Sequence, residues 1–247
     1  MMQIGKKLIR YGSIGSTNSH AAEIIQKEKP EEGTVILTEY QEHGRGQRGT
    51  SWESARGENL LTSFIFYPSL NVADQFLFNQ CIALGVYEMI EQELGKKVKI
   101  KWPNDIMVND KKIAGILIES SISGNKFQYA IAGIGINVNQ VQFKRYTPVA
   151  TSFFLETEKL FTADDLLNKL SRSLTRWYGI LNDQNFDFIR MSYLDLLFRK
   201  GEMSGYIMTD KKIKATIKGI NEDGKLLLEK KDGEVLKVNF KEMKYVF

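Results

Sequence analysis

Glycine and arginine alternate in one short run of the sequence, and these two residue types suit the binding of an anion. The run covers residues 41–49 and follows the apolar stretch at residues 35–38. Glycine lets a backbone approach a ligand closely, and arginine offers a planar, permanently charged fork for carboxylate or phosphate. The spacing matches neither a phosphate-binding loop nor a dinucleotide fingerprint. The run therefore predicts a flexible loop that wraps a small anion, with an ordinary basic surface loop as the alternative.

Two further segments place polar groups where the chain can hold them firmly. Ser16-Thr17-Asn18 opens a predicted helix, so that hydroxyl and amide groups lie beside free backbone N–H donors. Residues 101–105, Lys-Trp-Pro-Asn-Asp, present an amide and a carboxylate after a predicted strand, and Asp105 suits a Mg²⁺ ion bound through water. A plain helix cap and a strand-to-strand turn are the alternative interpretations.

The last two segments lie on predicted strands. Lys112 opens one strand and Gly115 follows on the opposite face of the pleat. A lysine held by a sheet can neutralise charge that develops on a phosphate. Residues 133–138 form an apolar strand interrupted by glycine, against which a planar ligand can lie, with Asn137 facing an adenine edge. Surface lysines in a turn and a tightly packed strand are the alternatives.

The composition is that of an ordinary globular protein. Apolar residues make up 43% of the 247 residues and charged residues 26%, so a packed core is expected. The net charge of +4 is too small to indicate a nucleic-acid partner. No apolar run approaches the ~20 residues of a membrane span. The single cysteine, Cys81, excludes an internal disulfide and favours the cytoplasm, and its apolar neighbours predict inert packing in the core.

Helices and strands are predicted to alternate up to about residue 200. Apolar spacing predicts helices over residues 17–29, 71–94, 162–181 and 187–199, and strands over residues 35–39, 60–67, 98–102, 106–108, 113–119 and 127–138. From residue 201 the pattern changes to short alternating segments separated by tight turns, which predict a small β-barrel. We therefore expect one domain of residues 1–200 and a C-terminal domain of residues 201–247, which is too short to form a core alone.

The five motifs occur together and in order, and in this combination the chain resembles the biotin–protein ligases. The resemblance is to the short form that lacks an N-terminal DNA-binding helix-turn-helix, so no DNA partner is expected. It implies an α+β fold of the class II synthetase-like type, in which helices back a mixed β-sheet and a small β-barrel follows. It also implies that ATP and Mg²⁺ activate biotin as biotinyl-5′-AMP, which then modifies a lysine of a biotin carboxyl carrier domain. A homodimer through a free strand edge, such as that of residues 113–119, is left open.

The resemblance assigns roles to individual residues. Lys112 and Arg45 would be catalytic, and Lys112 would contact both the biotin carboxyl group and the α-phosphate. The biotin-binding residues would be Ser16, Thr17, Asn18, Gln41, Gly44, Arg45, Gly46, Gln47, Lys112 and Gly115. The ATP-binding residues would be Arg48, Trp52, Asn104, Lys112 and Asn137, and Asp105 would hold Mg²⁺.

One position departs from the family pattern, and two other functions stay open. Gln47 stands where the family's loop often carries a second arginine, so we expect this chain to hold the activated intermediate less tightly. A lipoate–protein ligase is one alternative, although its arginine-rich and triple-glycine signatures are absent. A non-catalytic biotin-binding regulator is the other, and it would leave Lys112 and Asp105 without a role.

Overall fold

Seven strands form a mixed sheet at the centre of the larger part of the molecule. The structure, a computed structural model, describes residues 3–95, 98–144, 147–240 and 242–247, without the side chain of Arg48. The strands are β1 (Leu8–Tyr11), β2 (Val35–Thr38), β3 (Asn59–Phe66), β4 (Val98–Lys101), β5 (Asp105–Val108), β6 (Lys111–Ser123) and β7 (Lys126–Asn137). Their order is β1-β2-β3-β7-β6-β5-β4. β1 runs parallel to β2, and the other neighbouring pairs are antiparallel.

Within the described ranges, five α-helices cover the two faces of this sheet. They are α1 (Thr17–Lys27), α2 (Gln75–Leu94), α3 (Phe153–Thr157), α4 (Ala163–Asn182) and α5 (Phe186–Asp195). Successive strand residues point to opposite faces, so Val35 joins the main core with α2 and α4, whereas Ile36 packs with α1. Gly95 ends α2 at φ +55°, as predicted for a helix stop. Among the described residues, no helix is long and apolar enough to cross a membrane.

The C-terminal residues form a second sheet that shares the main core. Its strands are β8 (Met203–Met208), β9 (Lys211–Ile220), β10 (Leu226–Lys230), β11 (Val235–Val238) and β12 (Met243–Tyr245), in the antiparallel order β11-β10-β9-β8-β12. Trp102 of the larger part donates from its indole N–H to the carbonyl of Gly224 at 3.1 Å. Its ring centre lies 4.9 Å from that of Phe240. The predicted α+β fold, with a helix-backed mixed sheet and a following β unit, is confirmed.

Three short elements were not predicted, and one strand is longer than expected. β1, β12 and α3 contain four, three and five residues, which is too few to show a period in the sequence. β6 covers 13 residues, and β5 pairs with it only as far as Gly115. From Leu117 onward, no described strand pairs with that side of β6. Subunit pairing at this edge therefore stays a prediction.

Candidate active site

A cavity of about 930 Å³ opens on the α1 face of the mixed sheet. β6 and β7 form its floor, the N-terminus of α1 and the glycine–arginine loop form one side, and C-terminal residues form another. Most of the predicted site residues line it: Ser16, Thr17, Asn18, Gln41, Arg45, Gly46, Gln47, Trp52, Asn104, Asp105, Lys112, Gly115 and Asn137. The side chain of Arg48 is outside the described part of the structure. The structure therefore brings residues from five separate segments of the chain to one place.

Two lysines share one buried carboxylate at an end of this cavity. Lys112 Nζ lies 2.6 Å from Asp105 Oδ1, and Lys101 Nζ lies 2.7 Å from Asp105 Oδ2. Burial alone would raise the pKa of Asp105, but the charges and hydrogen bonds of Lys112 and Lys101 outweigh it and lower that pKa to about 2. The trio therefore carries one net positive charge at neutral pH, beside a space that can admit a ligand.

Both backbone polar groups of Lys112 are hydrogen-bonded to one neighbouring segment, residues 149–151, which fixes where its side chain points. Its N–H donates to the carbonyl of Val149 at 2.8 Å, and its carbonyl accepts from the N–H of Thr151 at 2.9 Å. The preceding residue, Lys111, is directed elsewhere, towards Glu156 at 3.8 Å, and its side chain is 54% exposed. Two adjacent lysines thus have different surroundings, because neighbours in a strand face opposite ways.

The magnesium role of Asp105 stays a prediction, and only for an ion bound through water. Both of its oxygens accept hydrogen bonds from ammonium groups, so a directly bound metal ion would have to displace a cation. Within the described ranges, no three His, Cys, Asp or Glu side chains form a group that could hold a metal. The structure shows Asp105 as the residue that orients the two lysines.

An indole ring covers the glycines of the cavity floor. A Cβ atom on Gly135 would lie 2.5 Å from Trp52 Cε2, and one on Gly115 would lie 2.8 Å from Trp52 Cζ3. Lys112 Nζ lies 5.4 Å from the centre of the indole ring. The planar group that rests on these glycines is thus the chain's own Trp52. Its indole N–H is buried and has no hydrogen-bond partner among the described residues.

The start of α1 and Gln41 form the polar end of the cavity opposite the lysines. The backbone N–H and the hydroxyl of Thr17 both donate to Gln41 Oε1, at 2.8 and 3.1 Å. Ser16 precedes the helix without capping it through its side chain, so its hydroxyl is not committed to the helix backbone. Gly44 does not line the cavity, but its carbonyl accepts from the N–H of Trp52 at 2.9 Å, which closes the loop into a hairpin.

Arg45 and Asn18 meet on a carboxylate that the sequence did not single out, Glu119. The two terminal nitrogens of Arg45 donate to Glu119 Oε1 and Oε2 at 3.0 and 2.7 Å. Asn18 Nδ2 donates to the same Oε2 at 2.8 Å, while Ser63 donates to Asn18 Oδ1 at 2.6 Å. A signal was present in the sequence, because Glu119 shares the strand parity of Gly115 and must face the same side.

The two asparagines that were expected to bind ATP are both hydrogen-bonded to the backbone. Asn104 donates from its amide to the carbonyl of Ile116, and Asn137 donates to the carbonyl of Thr151 at 2.8 Å. These bonds fix the two loops that lead into the cavity. Contacts of either asparagine with a nucleotide stay predictions, as does the effect of Gln47 on the hold on an intermediate.

The C-terminal sheet supplies a wall that the motifs did not indicate. The residues concerned are Ile207, Phe240, Met243, Lys244, Tyr245 and Phe247. Lys101 Nζ lies 5.2 Å from the ring centre of Tyr245, so this wall also contacts the lysine–carboxylate trio. The side chain of Tyr245 is buried, and its hydroxyl has no partner in the described part of the chain. Only the alternating apolar residues at the end of the sequence could have signalled this wall.

The chain belongs to the biotin/lipoate A/B protein ligase family, whose model matches residues 12–137. Residues 207–242 match the biotin protein ligase C-terminal domain. The predicted family membership is confirmed.

Several characterised proteins resemble the chain. The bifunctional ligase/repressor BirA of Bacillus subtilis is 36% identical over 137 residues, which are 56% of this chain and 42% of that protein. The biotin–[acetyl-CoA-carboxylase] ligase of Paracoccus denitrificans is 29% identical over 224 residues, covering 87% of this chain and 92% of that one. The structure of the biotin protein ligase from Aquifex aeolicus in complex with biotin and ATP has a TM-score of 0.79 and 25% identity, covering 98% of this chain and 100% of that one. The chain thus spans less than half the length of the Bacillus relative.

Proposed function

We propose that this protein activates biotin with ATP and transfers the biotinyl group to a lysine of a carrier protein. The observation that carries the proposal is that the Lys101–Asp105–Lys112 trio, the arginine loop and the start of α1 line the same cavity. Its volume of about 930 Å³ is at the upper end of the range for small-molecule sites, which suits two substrates bound together. The names of the relatives support biotin as the acid that is activated.

The polar groups at the two ends of the cavity indicate where each substrate binds. The ring system of biotin would lie at the end formed by Ser16, Thr17 and Gln41, with its carboxylate directed along the floor towards Lys112. ATP would lie on the side of Asn104 and the C-terminal wall. Held this way, the carboxylate and the α-phosphate meet at the ammonium of Lys112, and positioning alone can supply much of the rate.

In the first step, a carboxylate oxygen of biotin attacks the α-phosphorus of ATP. The bond to the bridging oxygen breaks, pyrophosphate leaves, and biotinyl-5′-AMP remains. Lys112, oriented by Asp105, stabilises the negative charge that develops on the phosphoryl oxygens. No protein nucleophile is needed, which agrees with the burial of Cys81 in the core, where burial raises the pKa of its thiol.

In the second step, the ε-amine of an acceptor lysine attacks the acyl carbon of the intermediate. An amide forms, the bond from the acyl carbon to the phosphate oxygen breaks, and AMP leaves while the amine loses a proton. The acceptor is a biotin carboxyl carrier domain, and the reaction takes place in the cytoplasm, where ATP is supplied. Mg²⁺ would neutralise part of the charge on the ATP phosphates, and Asp105, whose oxygens are engaged by lysines, would hold the ion only through water.

A transfer assay tests this function against the lipoate alternative. The protein is incubated with Mg²⁺, ATP and a biotin carboxyl carrier domain, together with labelled biotin or labelled lipoate. A lipoyl carrier domain replaces the first acceptor in a parallel series. Label from biotin should appear on the biotin carrier and should be absent when the acceptor lysine is changed to arginine. Transfer of lipoate in preference to biotin, or of neither, would contradict the proposal.

A further inference from the structure

We propose that Glu119 is a positioning residue for the biotin end of the site, because it holds Arg45 and Asn18 in one hydrogen-bonded cluster. The inference rests on the proposed function and adds a residue to it. Glu119 Oε2 accepts from both Asn18 Nδ2 and an Arg45 terminal nitrogen, at 2.8 and 2.7 Å. One carboxylate therefore links the glycine–arginine loop to the first turn of α1.

The pairing orients Arg45 without using up its hydrogen-bonding capacity. A guanidinium has five N–H donors, and Glu119 engages one on each terminal nitrogen. The remaining donors, including that of Nε, can reach a ligand in the cavity that Arg45 lines. Because the bidentate geometry is planar, the direction of these donors is set by the carboxylate.

Glu119 itself takes its position from a buried amide. Asn18 is 3% exposed, whereas the side chains of Arg45 and Glu119 are 44% and 37% exposed. Asn18 rests on the backbone of β7, since a Cβ atom on Gly133 would lie 2.2 Å from its Oδ1. Ser63 of β3 donates to the same oxygen. Through Glu119, the exposed Arg45 is therefore connected to the buried Asn18, which the sheet holds in place.

Holding Arg45 also holds the loop that crosses the cavity. Arg45 and Ser51 form an isolated β-bridge, and the N–H of Gly46 donates to the carbonyl of Thr50 at 2.7 Å. The loop is therefore a small hairpin in which Arg45 lies at the base. Gln47 at the tip of this hairpin lines the cavity. If Arg45 becomes mobile, the whole hairpin over the biotin site should become more mobile.

Glu119→Gln tests the proposal while keeping the size of the side chain. The single amide oxygen of glutamine can accept a hydrogen bond from Asn18 or from Arg45. Its N–H₂ group then faces the N–H donors of the residue that is left, and two donors cannot pair. We expect the Kd for biotin, measured by calorimetry, to rise about five-fold, which is the effect of losing one ordinary hydrogen bond and suits a partly exposed cluster. The kcat of biotin-dependent ATP–pyrophosphate exchange should also fall, because Arg45 is disturbed, but by a smaller factor than the Kd rises, because Lys112 keeps its place.

Glu229→Gln is the matched control. Glu229 is 38% exposed and lies 3.2 Å from Lys218 on the C-terminal sheet, away from the cavity. This variant should keep the wild-type Kd and kcat. Hydrogen exchange of ligand-free protein adds a readout that needs no catalysis: amides of residues 41–52 should exchange faster in Glu119→Gln than in wild type or Glu229→Gln.

The outcomes separate this proposal from the proposed function. An unchanged Kd for biotin in Glu119→Gln overturns the positioning role even if the loop exchanges faster. A lower Kd also overturns it, since it would show that the carboxylate competes with the ligand for Arg45. Wild-type protein that binds biotin but catalyses no exchange with ATP contradicts the proposed function, while the two Kd values still decide the role of Glu119.

Discussion

Asp105 shows how one residue can organise the charges of a site by pairing with two cations at once. Its two oxygens hold Lys101 and Lys112 at 2.7 and 2.6 Å, and its side chain is only 14% exposed. Without a carboxylate between them, the two ammonium groups would repel each other across a poorly hydrated space. Asp105 therefore allows two cations to face one cavity.

The ionisation of Asp105 should make the stability of the fold depend on pH in acid. Its pKa of about 2 lies below the ordinary value of 3.8. The carboxylate thus stabilises the fold fully above about pH 4, and this contribution is lost as the pH falls through 2. Between these limits, wild type should lose about 2 kcal/mol more of its free energy of unfolding than Asp105→Asn.

Urea unfolding of both proteins at each pH measures the difference, since other carboxylates titrate equally in the two chains. Parallel stability curves from pH 5 to pH 2 would show that Asp105 is not ionised against the lysines in the folded protein.

Residue types and spacing indicate most of the polar side chains that line the cavity, but they do not predict the partners of these side chains. Lys112 and Asn18 stood out because each lies in a short, recognisable motif. Glu119 did not, because its partner Arg45 is 74 positions away in the sequence and only the fold brings them together. Asp105 is a different case, because Lys101 and Lys112 lie within seven positions of it in the sequence. The residue type alone favours a metal ligand there, and only the pairing of β4, β5 and β6 shows that both lysines bind its oxygens.

At the scale of elements, the contact between β6 and β7 explains why glycines line the cavity floor. Gly115 and Gly135 are paired across these strands, and both are covered by the indole of Trp52. Neither glycine has a positive φ, so their role is to leave room and not to permit an unusual backbone.

Gly135→Ala should therefore displace Trp52 and leave the strand intact. The new Cβ would lie 2.5 Å from the indole, so we expect a loss of about 1–3 kcal/mol in unfolding free energy. Ligand affinity should fall with it, because the ring lines the cavity. Tryptophan fluorescence and ATP binding by calorimetry report the two effects.

Gly179→Ala is the control for this substitution. Gly179 lies in α4 with no neighbouring atom within 4 Å of the added Cβ. Alanine should stabilise this helix by about 0.5–1 kcal/mol and leave ligand binding unchanged. Wild-type ATP affinity in Gly135→Ala would contradict the role assigned to the glycine floor.

Long elements could be predicted because their apolar period repeats several times. The cap of α4 was visible too, and Thr162 accepts from the N–H of Asp165 at 3.1 Å. β12 has three residues and no period, and it forms a wall of the site because the chain returns to pack on the larger part of the molecule. Such long-range packing leaves no local signal.

At the scale of the whole molecule, the two predicted domains share one hydrophobic core. Trp102 and Phe76 of the larger part both contact Phe240, and buried residues of the two sheets form one cluster. We propose that the division near residue 200 separates two units of chain topology that do not fold independently. A unit of residues 201–247 is too small to bury a core alone.

Thermal unfolding should accordingly occur in one cooperative transition. The calorimetric enthalpy should equal the van't Hoff enthalpy within experimental error. Trp102→Ala removes a large contact between the parts, and we expect it to cost about 3–5 kcal/mol and to lower the midpoint of the same single transition. Two separate transitions in the wild-type protein would show that the C-terminal sheet is a stable domain of its own.

Biotin-dependent exchange of labelled pyrophosphate into ATP tests most directly whether Lys112 and the cavity perform the activation. Wild type should catalyse this exchange, and Lys112→Ala should reduce its rate at least ~10²–10³-fold, since the variant loses a charge that acts in the transition state. Lys111→Ala, the adjacent and more exposed position, should retain nearly all activity. Exchange that does not require biotin, or that survives unchanged in Lys112→Ala, would contradict the proposed function and mechanism.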